Sequence, residues 1–291
     1  MAVSPATIHA FIEHTLRGRD LAVGFDLILQ GVMFAQLARY VSAGFHRTDR
    51  TILRAWVAGL CVLTLTKNLY DLCLTQAQNT TWFLDSFGVL ADFFSAKFAA
   101  SYCLDVLVVL YVQLFFCWRL WMLSRSVWLP LILAVLFVAP AVCGFISILT
   151  RMSLEGITDL AAAYLSLYFA GDTILCASIT FYLVRVARSN EGFRHTSSIL
   201  TRLIRITIQS TLPSAACALI ALAASQSADD SPSDATQVIT IIVLNILPMV
   251  YAFSAMWTLN SRRSPKEQET GHGKTPRILI VTGGSFAETA D

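Results

Sequence analysis

Seven long, nearly uninterrupted apolar runs constrain this chain more than any other feature. A helix needs about 17 to 25 apolar residues to cross ~30 Å of hydrocarbon. Runs of that size lie at Asp20–Val41, Ile52–Gln76, Ala99–Met122, Val127–Leu149, Asp159–Val184, Ile199–Ala224 and Ala235–Leu259. Strands of a membrane barrel are ~10 residues long with strict alternation, whereas these runs are apolar on all sides. The expected fold class is an all-α integral membrane protein, a seven-transmembrane-helix bundle over residues 20–260. Composition agrees: only 14% of residues are charged and the mean hydropathy is +0.63, against ~25% charged in soluble domains. A net charge of +2 gives no basic field for nucleic acid, so the expected partner is the lipid bilayer and not a nucleic acid.

Orientation follows from Lys and Arg in the short loops. The first, third and fifth loops carry Arg47, Arg50 and Arg54; Arg119 and Arg125; and Arg185, Arg188, Arg194, Arg202 and Arg205. The tail opens with Arg262, Arg263 and Lys266, while the even loops hold Asp85, Asp92 and Lys97; Arg151, Glu155 and Asp159; and Asp229, Asp230 and Asp234. These biases predict an extracellular segment 1–19, the bundle 20–260, and a cytoplasmic tail 261–291. The sequon Asn79-Thr80-Thr81 falls in the second loop, on the expected outer side, which makes Asn79 a candidate glycosylation site. The first twenty residues hold no apolar signal-peptide core, so the first span is expected to act as its own insertion signal. The expected location is the plasma membrane or another secretory-pathway membrane.

Segment Trp82–Ala96 places Phe83, Phe87, Leu90 and Phe94 at helical spacing. It reads as a short amphipathic helix on the outer surface, or as an ordinary loop. All seven cysteines sit inside expected spans; Cys73 and Cys103 lie toward the outer ends of theirs, where a bridge between them is conceivable. No CxxC or HExxH occurs and no expected span holds a His, so neither a metal site nor a cofactor is expected.

Ionisable side chains inside a bilayer are costly and usually face the bundle interior. Here they are Asp26, Lys67, Asp71, Asp105 and Asp172. At ~1.5 Å per residue, Asp26, Asp71 and Asp105 lie ~8–10 Å below the outer edge, with Lys67 and Asp172 nearer the midplane. Helical spacing gathers further polar groups on the same faces: Gln30 after Asp26, Asn68 beside Lys67, Tyr168 before Asp172, and Asn245 in the last span. Pro213 and Pro248 are expected to kink their helices and free carbonyls. Four Asp against one Lys leave an excess of three negative charges if all ionise, so protons, water or a cation must make up the difference. One reading is an outward-opening pocket for a small polar or cationic ligand, built from Asp26, Gln30, Lys67, Asn68, Asp71, Asp105, Tyr168, Asp172 and Asn245. The other is structural, with Lys67 satisfied by Asp71 and neighbours and the rest near the wet interface. Lys67 is expected to be charged and paired with a carboxylate from another span, Asp172 being the nearest in depth.

Three stretches together resemble a large family of fungal seven-span proteins known only as a domain of unknown function. They are Val112-Gln113-Leu114-Phe115-Phe116-Cys117-Trp118-Arg119-Leu120, Leu203-Ile204-Arg205-Ile206-Thr207-Ile208-Gln209 and Thr258-Leu259-Asn260-Ser261-Arg262. The resemblance covers most of residues 20–262. It implies a fungal membrane protein with its N-terminus outside, and no activity. G-protein-coupled receptors share span count and orientation, but Asn245 and Pro248 are not adjacent and Arg119 is flanked by Trp118 and Leu120. A retinal protein needs a Schiff-base lysine in the last span, and none is there.

The function expected first is therefore a receptor-like sensor with an outward-facing polar pocket, its basic inner loops and tail available to a cytoplasmic partner. The alternative is a transporter or channel for a cation or small polar solute, which needs a polar path through the inner half. An intramembrane enzyme using an Asp as general acid comes last, since no motif demands one.

Overall fold

A computed structural model describes residues 5–45, 49–84, 96–124, 126–150, 154–189, 213, 215–217, 219, 220, 223 and 234–261. Among them there is no strand. Six labelled helices are α1 (Pro5–Ser42), α2 (Thr51–Leu84), α3 (Ala96–Ser124), α4 (Trp128–Thr150), α5 (Leu154–Ser189) and α6 (Asp234–Asn260). Of the expected sixth span, 199–224, the described residues are all helical. Residues 85–95, which hold most of the expected surface helix, and the tail 262–291 lie outside the described residues.

Four of these helices are long and apolar enough to cross a membrane: Ile12–Ser42, Thr51–Thr80, Ala96–Met122 and Val238–Asn260. Large apolar side chains are also turned outward along the bundle, with Ile28, Val62, Ile132 and Phe181 each more than 60% exposed. A water-soluble surface does not carry such a continuous apolar belt. The chain is a membrane protein.

The helices outrun the apolar runs that announce them. α1 begins at Pro5 rather than Asp20, because Pro is well placed in a first helical turn and the Ala-, Leu- and Ile-containing stretch behind it continues the helix. Backbone hydrogen bonding has no reason to stop where hydropathy does. For the same reason α2 continues to Leu84, so the sequon Asn79-Thr80-Thr81 lies in a helix and not in the loop where the sequence puts it. The α1–α2 turn is closed at Gly44, whose φ of +82° favours glycine. The Tyr40 hydroxyl then donates to Asp49 at 2.8 Å across the turn.

Side-chain contacts set the directions. α1 and α2 are antiparallel, since Arg19 meets Gln78 while Gln30 meets Asn68. α2 and α3 are antiparallel, since Tyr70 reaches the Lys97 carbonyl while Trp56 stacks on Phe115. α1 and α6 run parallel: Gly18 lies against Ile241 and Gln36 against Asn260. α4 packs on α3 and α5. The apolar core joins Val108, Val112, Phe116 and Leu120 of α3 to Met249, Ala252 and Met256 of α6 and Phe137 of α4. Two glycines permit close approach. A Cβ on Gly59 would stand 2.5 Å from the Tyr111 hydroxyl, and one on Gly171 would stand 2.5 Å from Cε1 of Phe137. Cys73 and Cys103 are free thiols, so the conceivable bridge is not formed.

Candidate functional site

Lys67 is among the largest fully buried side chains of the described residues. Its ammonium bonds to Asp26 of α1. It also lies 3.2 Å from Asp71 Oδ2, one turn along α2, and 3.5 Å from Asp105 Oδ1 of α3. A fourth helix supplies a backbone oxygen: the Asn245 carbonyl accepts from Nζ at 3.1 Å. Pro248 of the same helix has no amide to give the Leu244 carbonyl, the residue before Asn245.

The centre thus has a charged partner from another span, as expected, but that partner is not Asp172. Asp26 and Asp105 take the role. Asp172 instead accepts a hydrogen bond from the Tyr251 hydroxyl, with Gln113 of α3 also nearby. Depth along a helix does not reveal azimuth. α5 packs on α3 and α4, whereas α2 packs on α1 and α3, so equal depth left Lys67 and Asp172 in different interhelical spaces.

Around the four charged groups lies a neutral polar layer. Ser101 of α3 donates to Asp71 Oδ1. Asn68 Nδ2 donates to Gln30 Oε1 at 3.1 Å and lies 3.7 Å from Met249 Sδ. The Asn245 side chain turns back to its own helix, donating to the Ile241 carbonyl at 2.8 Å. Asp105, with 16% of its side chain exposed, is the most open of the four. Asp26 Oδ1, Gln30 Nε2 and Asn68 Oδ1 are buried with no hydrogen-bond partner among the described residues. Tyr168 belongs to α5, and its side chain lies outside the described residues. Asn79 stands at the surface, donating to Asp20 Oδ1 at 2.9 Å.

Arg19 is the buried charged residue beside this cluster that the apolar runs leave out. It is only 3% exposed. Its Nη1 donates to Gln78 Oε1 at 2.8 Å, its guanidinium lies 5.2 Å from the Phe98 ring centroid, and it attracts both Asp71 and Asp105. A hydropathy boundary at Asp20 excluded it by one residue. The signal was periodicity: Arg19, Asp26 and Gln30 share one face of α1, as Lys67, Asp71, Thr75 and Gln78 share one face of α2. Counting Arg19 and Asp20, which it also attracts, the cluster holds two cations and four carboxylates. Asp172 forms a separate centre.

A buried ion pair is weak evidence for stability, because desolvation offsets much of the Coulombic gain. Breaking one is nevertheless costly, so the cluster locks the relative positions of α1, α2, α3 and α6. Its chemical capability is specific. The Lys67 ammonium occupies the place a bound cation would take among three carboxylates, and an incoming amine or proton competes for the same oxygens.

Residues 168–264, about a third of the chain, match a family of unknown function (DUF6534). That stretch contains Leu203–Gln209 and Thr258–Arg262 but not Val112–Leu120. No curated protein and no solved structure matches the chain.

Proposed function

We propose that this protein is a seven-span, receptor-like membrane sensor with its N-terminus outside and its tail, 261–291, in the cytoplasm. The span count is supported by the parallel run of α1 and α6, which calls for an odd number of crossings from the first helix to the last. Between Ser189 and Asp234 the sequence offers one apolar run of spanning length, 199–224, for a further crossing. The basic odd loops support the orientation, with the first turns of α1 projecting beyond the outer face and the bundle filling 20–260. The same loops and tail offer a surface to a cytoplasmic partner. A secretory-pathway or plasma membrane fits this topology.

The single observation that carries the sensor reading is the convergence of Asp26, Asp71 and Asp105 on Lys67 from three helices. A small polar or cationic ligand that engages Asp105 and Asp71 displaces Lys67 from them and changes how α1, α2 and α3 are tied. A ligand shifts a conformational equilibrium only by its differential affinity for the two states, and these exchanged ion pairs provide one. The test is a panel of small primary amines and carboxylates added to full-length protein in lipid nanodiscs, with unfolding temperature as readout. Amines are expected to shift it in the wild type and to lose that effect in Asp105→Asn. An unchanged unfolding temperature across the whole panel removes the reading.

A transporter for a cation or small polar solute is the second reading. It is favoured by polar side chains buried further along α6, Ser254, Thr258 and Asn260, which continue polarity beyond the Lys67 centre. Solute flux in liposomes separates the two.

A further inference from the structure

Three side-chain atoms beside the Lys67 centre are buried with no hydrogen-bond partner among the described residues: Asp26 Oδ1, Gln30 Nε2 and Asn68 Oδ1. None of the three residues is more than 4% exposed. Direct contacts hold them together. Asn68 Nδ2 lies 3.1 Å from Gln30 Oε1 and 3.4 Å from the Asp26 backbone oxygen. Each unpartnered atom is the second end of a group whose first end already joins the α1–α2 seam. Asp26 gives Oδ2 to Lys67, Gln30 gives Oε1 to Asn68, and Asn68 gives Nδ2 to both α1 residues. α6 meets the seam with Met249, whose Sδ is 3.7 Å from Asn68 Nδ2.

The same contacts fix which end of each amide is which. Asn68 Nδ2 meets two oxygens and a thioether sulfur, all of them acceptors, so the other end of that amide is the carbonyl. Gln30 turns its carbonyl to Asn68, so its remaining end is a donor. The seam therefore asks for two donated hydrogen bonds, at Asp26 Oδ1 and Asn68 Oδ1, and offers one, from Gln30 Nε2. Leaving such groups unmatched in a buried seam is costly. A water molecule donates two hydrogen bonds and accepts others, and buried waters make about three bonds to groups of this kind. A metal ion does not suit, because Gln30 Nε2 presents N–H bonds and no lone pair. An ammonium has only donors to give and leaves Gln30 Nε2 unmatched.

We propose that the α1–α2 seam next to Lys67 is a binding site for a structural water, held by Asp26 Oδ1, Asn68 Oδ1 and Gln30 Nε2. The water supplies the second Asp26 oxygen with a hydrogen bond that Lys67, bonded to the first, does not give. It also couples the Lys67 ion pairs to the amides of α1 and α2. The site is defined by these contacts alone, so this inference does not rest on the sensor reading.

Radiolytic footprinting of the full-length protein in lipid nanodiscs tests it. X-rays convert a bound water into a hydroxyl radical that oxidises the nearest susceptible side chain, and methionine sulfur is readily oxidised to the sulfoxide. Met33, Met249 and Met256 are all fully buried, so Met33 and Met256 serve as controls inside the same molecule. Met249 is expected to be oxidised several-fold faster than either of them in the wild type. Asn68→Leu, which removes the carbonyl and the amide together, should bring Met249 down to the rate of the controls. Gln30→Leu should do the same, and serves if Asn68→Leu does not fold. The Met249 rate should be indifferent to sodium in the buffer. Equal oxidation of the three methionines in the wild type, an undiminished Met249 rate in the folded variants, or a Met249 rate that falls as sodium is raised, which would put a cation in the seam, overturns the proposal.

Discussion

Replacing Lys67 with Met keeps the length of the side chain and removes its charge. The structure specifies what is left behind. Asp26 loses its only ionic partner among the described residues, Asp71 loses a contact at 3.2 Å, and Asp105 loses one at 3.5 Å. Arg19 still attracts Asp71 and Asp105 but does not reach Asp26. Removing one partner of a buried pair costs about 3–5 kcal/mol, and Asp26 is the carboxylate that carries that cost. Equilibrium unfolding in mixed micelles should therefore show Lys67→Met destabilised by about that amount at neutral pH. The loss should shrink on acidification, because a protonated carboxyl needs no counter-charge. A double-mutant cycle sharpens the test. Lys67→Met combined with Asp26→Asn should recover part of the loss, with a coupling energy of about 0.5–3 kcal/mol. The same cycle with Asp172→Asn should be additive, since Asp172 bonds to Tyr251 and not to Lys67. Wild-type stability of Lys67→Met at neutral and alkaline pH, or coupling to Asp172 in place of Asp26, would refute the reasoning.

Three further outcomes are expected. Gly171→Ala should cost about 1–3 kcal/mol, because its methyl lands on the buried edge of Phe137; combining it with Phe137→Leu should relieve much of that in the same unfolding assay. Arg19→Ala should cost about 1–3 kcal/mol by stranding the Gln78 carbonyl oxygen, and Arg19→Lys should restore little, since an ammonium lacks the planar fork that both bonds Gln78 and stacks on Phe98; thermal unfolding of the two variants side by side decides it. A C-terminal tag should resist external protease in intact cells until they are permeabilised, and cleavage in intact cells would overturn the loop-charge orientation.

The amino-acid sequence by itself determined that the chain is helical and lives in a bilayer, and it named the polar residues along each helix. Both are one-dimensional properties. An apolar run of sufficient length has no alternative in hydrocarbon but to satisfy its own backbone as a helix, and a rise of ~1.5 Å per residue converts position into depth. That is why Asp26, Lys67, Asp71 and Asp105 could be placed at neighbouring levels before any fold was seen. Who faces whom is a different kind of quantity. It depends on the rotation of each helix about its axis and on which helices are neighbours, and packing settles both. Gly18 lets α1 lie along α6, Gly59 admits Tyr111, and Gly171 admits Phe137. Only with those contacts in place does Asp172 turn toward Tyr251, leaving Asp26 and Asp105 to meet Lys67. Helix ends escaped the sequence for a related reason. Arg19 and Asn79 lie beyond the apolar runs, yet backbone hydrogen bonds and the Arg19–Gln78 pair carry the helices through them. Hydropathy registers where lipid begins, whereas the helix ends where its backbone bonding and packing end.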